Sequence, residues 1–350
     1  MTVRHDAAAL RRFAALLFER GGMEGEKAAT VAEVLVEGDL LGHDTHGLAL
    51  LPPYLDALAS GDMLGRGAPE VLTGTPVVET WDGRKLPGPW LVRRAADLAA
   101  ERAASFGLAA VAIRRCHHIG CLAVYLPRVV ERGQVLLVFS SDPATGSVAP
   151  WGGTRRLFTP NPIAAGWPSP DGPVMLDVSM SITTNAMTAR RRAEGGRFPA
   201  DALLDAEGRP TSDPEAFFTS PAGSLLPLGG MAAGHKGSAL GLMVEALTSA
   251  LVGHGRADAP GGWGASVLVL VLDPARFGGT EAFLRETGWM AAAVHANPPP
   301  PGAPPPRLPG ERAWQRRAAA LAEGVALHPS LPPLLAERGA LAGIAMPAPL

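Results

Sequence analysis

Apolar positions in the first 60 residues recur at helical spacing. Ala9, Leu10, Phe13, Leu16 and Leu17 fall on one face, with charged residues between them. The segment 24–41 reads helical and contains no proline, so it predicts a second helix. Pro52 and Pro53 interrupt the pattern, and a short helix over 53–59 is expected to stop at Ser60-Gly61. Residues 5 to about 60 therefore read as helical. Further on the pattern changes. Residues 70–82 alternate and are rich in β-branched side chains, which predicts strand. A helix over 89–105, a strand over 108–113, a helix over 121–132 and a strand over 134–141 follow. Further strands are expected at 163–168, 174–179 and 266–273, with a small-residue helix over 235–253. This alternation predicts a mixed α/β domain between helical ends. Residues 297–309 are too rich in proline to pack as helix and read as an extended arm crossing back to another part of the molecule. Residues 310–338 read as helical again.

Composition narrows the class. The chain has 350 residues, 47% of them hydrophobic, enough for a large core and for two domains. Its 31 basic and 33 acidic residues leave a net charge of −2, which gives no field to draw in nucleic acid or an anionic membrane. Charges interrupt the first apolar stretch, and no run reaches the length of a membrane span, so a cytoplasmic protein is expected. Cys116 and Cys121 have no second pair, which argues against a disulfide framework or a structural zinc site. Lys27, Lys85 and Lys236 are the only lysines, so each points to a specific need.

Four clusters carry candidate chemistry. In His43-Asp44-Thr45-His46-Gly47 an imidazole can donate a proton near neutral pH. The same spacing also suits a shared metal, or two surface histidines near a helix end. In Cys116-His117-His118-Ile119-Gly120, adjacent side chains point apart, so at most one histidine faces a site. Residues 225–241 offer glycines, His235, Lys236 and a helix start whose amides can meet a phosphate. His235 separates glycine from lysine, so this is not a P-loop, and no G-x-G-x-x-G follows a strand. Gly310, Glu311 and Arg312 open the last helical stretch and offer a second anion site. Asp177, Asn161 and the turn Trp151-Gly152-Gly153 are lesser candidates.

Taken in order, the motifs are DTHG (44–47) followed by LPPYLDALASGDM (51–63), then HHIG (117–120) and VAPWGGTRRLFTPNPIAAG (148–166). MLDVSMS (175–181), DAEGRPTSDP (205–214), LLPLGG (225–230), GHKG (234–237) and RLPGER (307–312) complete the series. With this order and spacing the chain, from about residue 6 to 340, resembles the malate/L-lactate dehydrogenase family of non-Rossmann NAD(P)-dependent oxidoreductases. That family includes ureidoglycolate, sulfolactate and diketogulonate dehydrogenases and a cyclic-imine reductase.

The resemblance implies an α/β fold, with a mixed-sheet non-Rossmann cofactor domain and a helical domain formed by both chain ends. The expected division is 1–68 and 310–350 for the helical parts, 69–296 for the cofactor domain and 297–309 for the connection. It also implies a homodimer acting on a small-molecule substrate. The implied reaction is reversible hydride transfer between NADH or NADPH and a 2-oxo acid or 2-hydroxy acid. His46 matches the proton donor, with Thr45 and Asp177 as groups that orient or polarise it. His118, Asn161 and position 50 fall on the substrate side. Leu176, Asp177, Val178 and Ser179, His235 and Lys236, and Gly310, Glu311 and Arg312 match the cofactor segments.

Three departures matter. Thr45 replaces the usual serine and keeps the hydroxyl. Leu50 stands where the family has an arginine that grips the substrate carboxylate, and residues 182–196 lack the usual G-K. A larger substrate with an apolar portion is therefore expected, with Arg155 and Arg156 as conceivable substitute anchors. The rival readings are a cyclic-imine reductase on the same scaffold, a metal-dependent hydrolase using His43, His46, His117 and His118, and a binding protein without turnover.

Overall fold

The computed structural model describes residues 3–350. After β1 (Arg4–His5), α1 (Ala7–Arg20) starts at Asp6, whose carboxylate accepts the Ala9 N–H at 2.7 Å. α2 (Gly25–Leu41) ends at Gly42, whose φ of 86° is the left-handed cap that glycine adopts without strain. Residues 43–47 then turn, a single 3₁₀ turn follows (Leu48–Leu50), and α3 (Leu51–Ser60) carries its prolines in the first turn, where no N–H is needed. The helical block expected over 5–60 is thus three helices, and the histidine-bearing turn is its second break.

The expected strand over 70–82 is two antiparallel strands, β2 (Glu70–Gly74) and β3 (Val78–Asp82), because Gly74, Thr75 and Pro76 turn the chain. α4 (Gly88–Phe106), β4 (Leu108–Cys116), a 3₁₀ turn (Leu122–Tyr125), α5 (Leu126–Val130), β5 (Val135–Ser141), β6 (Ile163–Trp167) and β7 (Val174–Val178) follow. α6 (Asn185–Ala193) precedes a small sheet of β8 (Leu203–Leu204), β9 (Pro210–Thr211) and β10 (Ser224–Leu225). α7 (Gly230–Glu245) begins five residues before the expected start and runs into a π-helical turn (Ala246–Ala250). β11 (Ala265–Leu272) leads to α8 (Thr280–Ala296), which the pattern did not announce: Ala291 is its sole buried residue, so it buries no continuous apolar face. The expected C-terminal helical stretch breaks at Gly324 (φ 94°) into α9 (Glu311–Glu323), β12 (Val325–Ala326) and α10 (Leu331–Ala342).

The main sheet has seven strands in the order β2-β3-β4-β11-β5-β6-β7. β3 and β4 run parallel and every other neighbouring pair antiparallel, so the sheet is mixed. Alternate residues of β4, β5 and β11 pack against the small-residue face of α4 to form one core. A second core joins Leu10, Phe13, Leu35 and Tyr54 to Val325, Leu331 and Leu335, so the two chain ends share one apolar interior. Each fully buried leucine there contributes roughly 1.5–3 kcal/mol. The proline arm returns along the edge strand, where the Met175 N–H donates to Pro309 O at 3.1 Å, and α9 then packs on α2. β7 at the sheet edge and the turn after α2 are the elements that meet at the site.

Candidate active site

The turn after α2 is wired from beneath. His43 N–H donates to Gly38 O and His46 N–H to His43 O, each at 2.8 Å. Leu48 N–H donates to the Asp39 carboxylate at 2.7 Å. Gly47 lies so close to that carboxylate that a Cβ would stand 2.3 Å from Oδ1, which is why the turn carries glycine here. Burial pushes the Asp39 carboxyl up to about 7. Asp39 was not singled out from the sequence, since it is one of several charged residues along α2, with Glu26, Lys27, Glu33 and Glu37.

The turn presents His46 to a cavity of about 550 Å³. Thr45 Oγ1 lies 3.0 Å from His46 Nδ1, which leaves Nε2 for chemistry. Across the cavity the His118 ring stands 5.7 Å from that of His46. His118 Nδ1 accepts the Gly120 N–H at 3.3 Å and sits 2.8 Å from the Tyr54 hydroxyl. An accepting Nδ1 places the proton of the neutral ring on Nε2, making it a hydrogen-bond donor. Trp263 stacks on His118 at 4.7 Å and forms part of the cavity wall. Sequence reasoning passed over this tryptophan, whose signal was a lone aromatic in a glycine-rich loop.

Burial holds both imidazoles below the ordinary histidine range. For His46, Asp177 and Asp44 pull back toward protonation, while His43 adds to the depression. Asp177 acts through its field, since no hydrogen bond joins it to His46 among the described residues. Its carboxylate accepts the Ala123 N–H at 2.9 Å and the Cys121 thiol at 3.6 Å.

Of the expected residues, Thr45, His46, Leu50, His118, Asp177 and Ser179 line this one cavity. Leu50 is buried and forms the apolar wall anticipated for it. Leu176 and Val178 flank Asp177 on β7; Val178 is 46% exposed. His235 and Lys236 are exposed on α7, and Arg312 is exposed on α9. Gly310 packs on Met175 of β7, which brings that loop to the sheet edge, and Glu311 pairs with His295.

Asn161 departs from expectation. It is fully buried, its Oδ1 accepts from Thr159, and its Nδ2 donates to Gly241 O and Glu245. With both amide atoms engaged within the protein, it anchors α7 and is not among the residues lining the cavity. Arg156 donates to Gly223 O and Phe217 O and lies over the Phe217 ring, and neither it nor Arg155 lines the cavity. The four-histidine metal set is not assembled either: His117 is buried between Tyr54 and Trp263, outside the cavity lining. His43 instead lies near Cys121 and Asp177, with ligand atoms within 4.8 Å of one another, but burial pushes the Cys121 thiol well above its ordinary range. Among the described residues no arginine or lysine lines the cavity.

The chain is similar along its length to known proteins. The family model for malate/L-lactate dehydrogenase matches residues 5–333. Hydroxycarboxylate dehydrogenase B of Escherichia coli (strain K12) is 30% identical over 337 residues, covering 93% of this chain and 90% of that protein. A Δ1-pyrroline-2-carboxylate reductase of Ancylobacter novellus is 31% identical over 321 residues, covering 89% and 90%. The crystal structure of malate dehydrogenase from Entamoeba histolytica superposes with a TM-score of 0.93 at 22% identity, covering 99% of this chain and 100% of that one, and so shares the fold. The matched span and the mixed sheet agree, and the chain belongs to the malate/L-lactate dehydrogenase family, whose dehydrogenases act on hydroxy acids.

Proposed function

We propose that this protein transfers hydride reversibly between NADH or NADPH and a 2-oxo or 2-hydroxy acid, with His46 as the proton donor in reduction. The observation that carries this reading is the meeting of His46 and His118 across one cavity beside Asp177 and Ser179 of β7. The surface beside β7 fits a nicotinamide dinucleotide. Val178, Ile182, Leu228 and Met231 are exposed apolar residues, a bed for flat rings. Lys236 and Arg312 are exposed cations without a carboxylate partner among the described residues, suited to phosphates.

The bound cofactor supplies the hydride. His118 Nε2–H donates to the substrate oxygen and fixes the carbonyl. His46, protonated on Nε2, gives its proton to the developing alkoxide, and Thr45 holds the ring through Nδ1. The depressed proton affinity makes His46 a stronger acid, so reduction accelerates as pH falls toward that lowered range and oxidation is favoured above it. A small-molecule cytoplasmic enzyme acting as a homodimer completes the reading, and sedimentation at micromolar concentration tests the dimer. No helix among the described residues is long and apolar enough to cross a membrane.

The second reading is reduction of a cyclic imine. A cavity with Asp44, Asp142 and Asp177 and no lining arginine or lysine suits a cationic iminium. A panel of 2-oxo acids and cyclic imines, followed by NAD(P)H absorbance, separates the two. On an oxo acid, His46→Ala lowers kcat by about 10²-fold or more with cofactor affinity unchanged. An imine needs no alkoxide protonated, so there the loss is smaller. Wild-type turnover of oxo acids by the variant overturns the assignment.

A further inference from the structure

A second cavity of about 390 Å³ adjoins the first, and the two share Asp142, Trp263, Gly264 and Ala265 as lining. Its charge differs from that of the reaction cavity. Arg84, Lys85 and Arg115 line it, and Lys85 is one of only three lysines in the chain. All three hold left-handed backbone conformations, with φ of 51°, 58° and 50°. Such conformations are uncommon for residues other than glycine and are held only where the surroundings fix them. They are held by Arg84 N–H donating to Asp82 (2.9 Å) and Lys85 N–H donating to Arg115 O (2.7 Å).

The local charges do not cancel. Asp82 is shared between Arg114 and Arg115, and Asp62 pairs with Lys85 at 3.2 Å. Arg84 is exposed and has no carboxylate partner among the described residues. Asp142, on the shared wall, is already engaged by the Ala144 N–H and the Thr145 hydroxyl, each at 2.9 Å. The lining thus sets Arg84, Lys85 and Arg115 against Asp62 and Asp142, and Arg84 is the cation left without a carboxylate partner among the described residues.

We infer that this second cavity is the subsite for a distal carboxylate of the substrate, so that the preferred substrates are elongated 2-oxo diacids rather than acids of pyruvate size. The inference rests on the proposed oxo-acid reading. With Leu50 in place of a guanidinium, the reacting end is held by neutral donors such as His118 Nε2–H. The far end then supplies the charge recognition, and Trp263 separates the two chambers.

The test compares 2-oxo diacids of four to seven carbons with 2-oxo monoacids of the same length, on the full chain with saturating reduced cofactor. The expected result is a preference in kcat/KM for the six- or seven-carbon diacid over its monoacid of about tenfold, shrinking as salt is raised. Arg84→Asn and Lys85→Asn remove charge with a residue that tolerates the left-handed conformation. Each should erase most of that preference while leaving the monoacid rate and the cofactor KM unchanged. Equal kcat/KM for diacid and monoacid at every length overturns the inference, as does a loss that falls equally on both or on cofactor KM. Failure of every oxo acid to oxidise the cofactor would instead overturn the proposed reaction, and is a distinguishable outcome.

Discussion

The turn that carries His46 and the face that carries Lys236 and Arg312 are built on opposite principles. The turn is braced by Asp39, by its own backbone hydrogen bonds and by the close approach of Gly47. Lys236 and Arg312 stand in solvent without carboxylate partners among the described residues. Under the proposed function, the difference follows from what each would do: His46 gives a proton, and Lys236 and Arg312 meet the cofactor's phosphates. A proton donor works only at fixed geometry, and burial strengthens every dipole aimed at it. A cation that meets a phosphate acts over a longer range, and pairing it in advance would have to be undone on binding.

The largest expected effect comes from disturbing the turn without touching its chemistry. Gly47→Ala forces a Cβ against the Asp39 carboxylate, so the turn shifts and His46 moves with it. We expect kcat to fall about 10²-fold, with stability lowered by about 1–3 kcal/mol and cofactor affinity retained. Ordinary kcat in this variant would show that the turn is softer than its contacts suggest.

On the exposed face, Lys236→Ala and Arg312→Ala should each raise the cofactor Kd about tenfold, equivalent to about 1.4 kcal/mol, with kcat at saturation little changed. Fluorescence titration of the reduced cofactor measures this, and the loss should diminish with salt. An unchanged Kd would remove that residue from the cofactor site.

The smallest effect sharpens the boundary between the two regions. His117 is buried with neither ring nitrogen bonded, and burial depresses its pKa to about 4. Between pH 6.5 and 4 the unfolded chain takes up a proton that the folded one refuses, so stability falls as pH drops through that window. His117→Phe should remove this loss, at most about 3 kcal/mol. Thermal unfolding should then show a larger advantage for the variant at pH 5 than at pH 8, with activity within about twofold of wild type. A collapse of activity would place His117 in the site after all.

Much of the fold was legible where periodicity was strong. β4, β5, β7 and β11 and helices α1, α2 and α4 lie within a few residues of their expected places, because each buries one face or is wholly enclosed. α8 was missed because it buries almost nothing. Asn161 was placed on the substrate side by its match to the family's N-P turn; its burial against α7 depends on residues about 80 positions away. Trp263 was overlooked for the same reason, since its meaning lies in the distant His118, and Asp39 because only the fold of the turn brings its carboxylate against Gly47.

By itself the sequence determined the mixed α/β class between helical ends and the histidines able to move a proton, while the joining of both chain ends came from the family resemblance. Local periodicity and side-chain chemistry are properties of short segments, and short segments can be read. Only the tertiary structure decided which of those histidines share a cavity, that no arginine or lysine among the described residues lines it, and that Arg84, Lys85 and Arg115 gather behind Trp263. Those facts depend on contacts between residues far apart in the chain, formed when the sheet order and the returning C-terminal arm bring distant elements together.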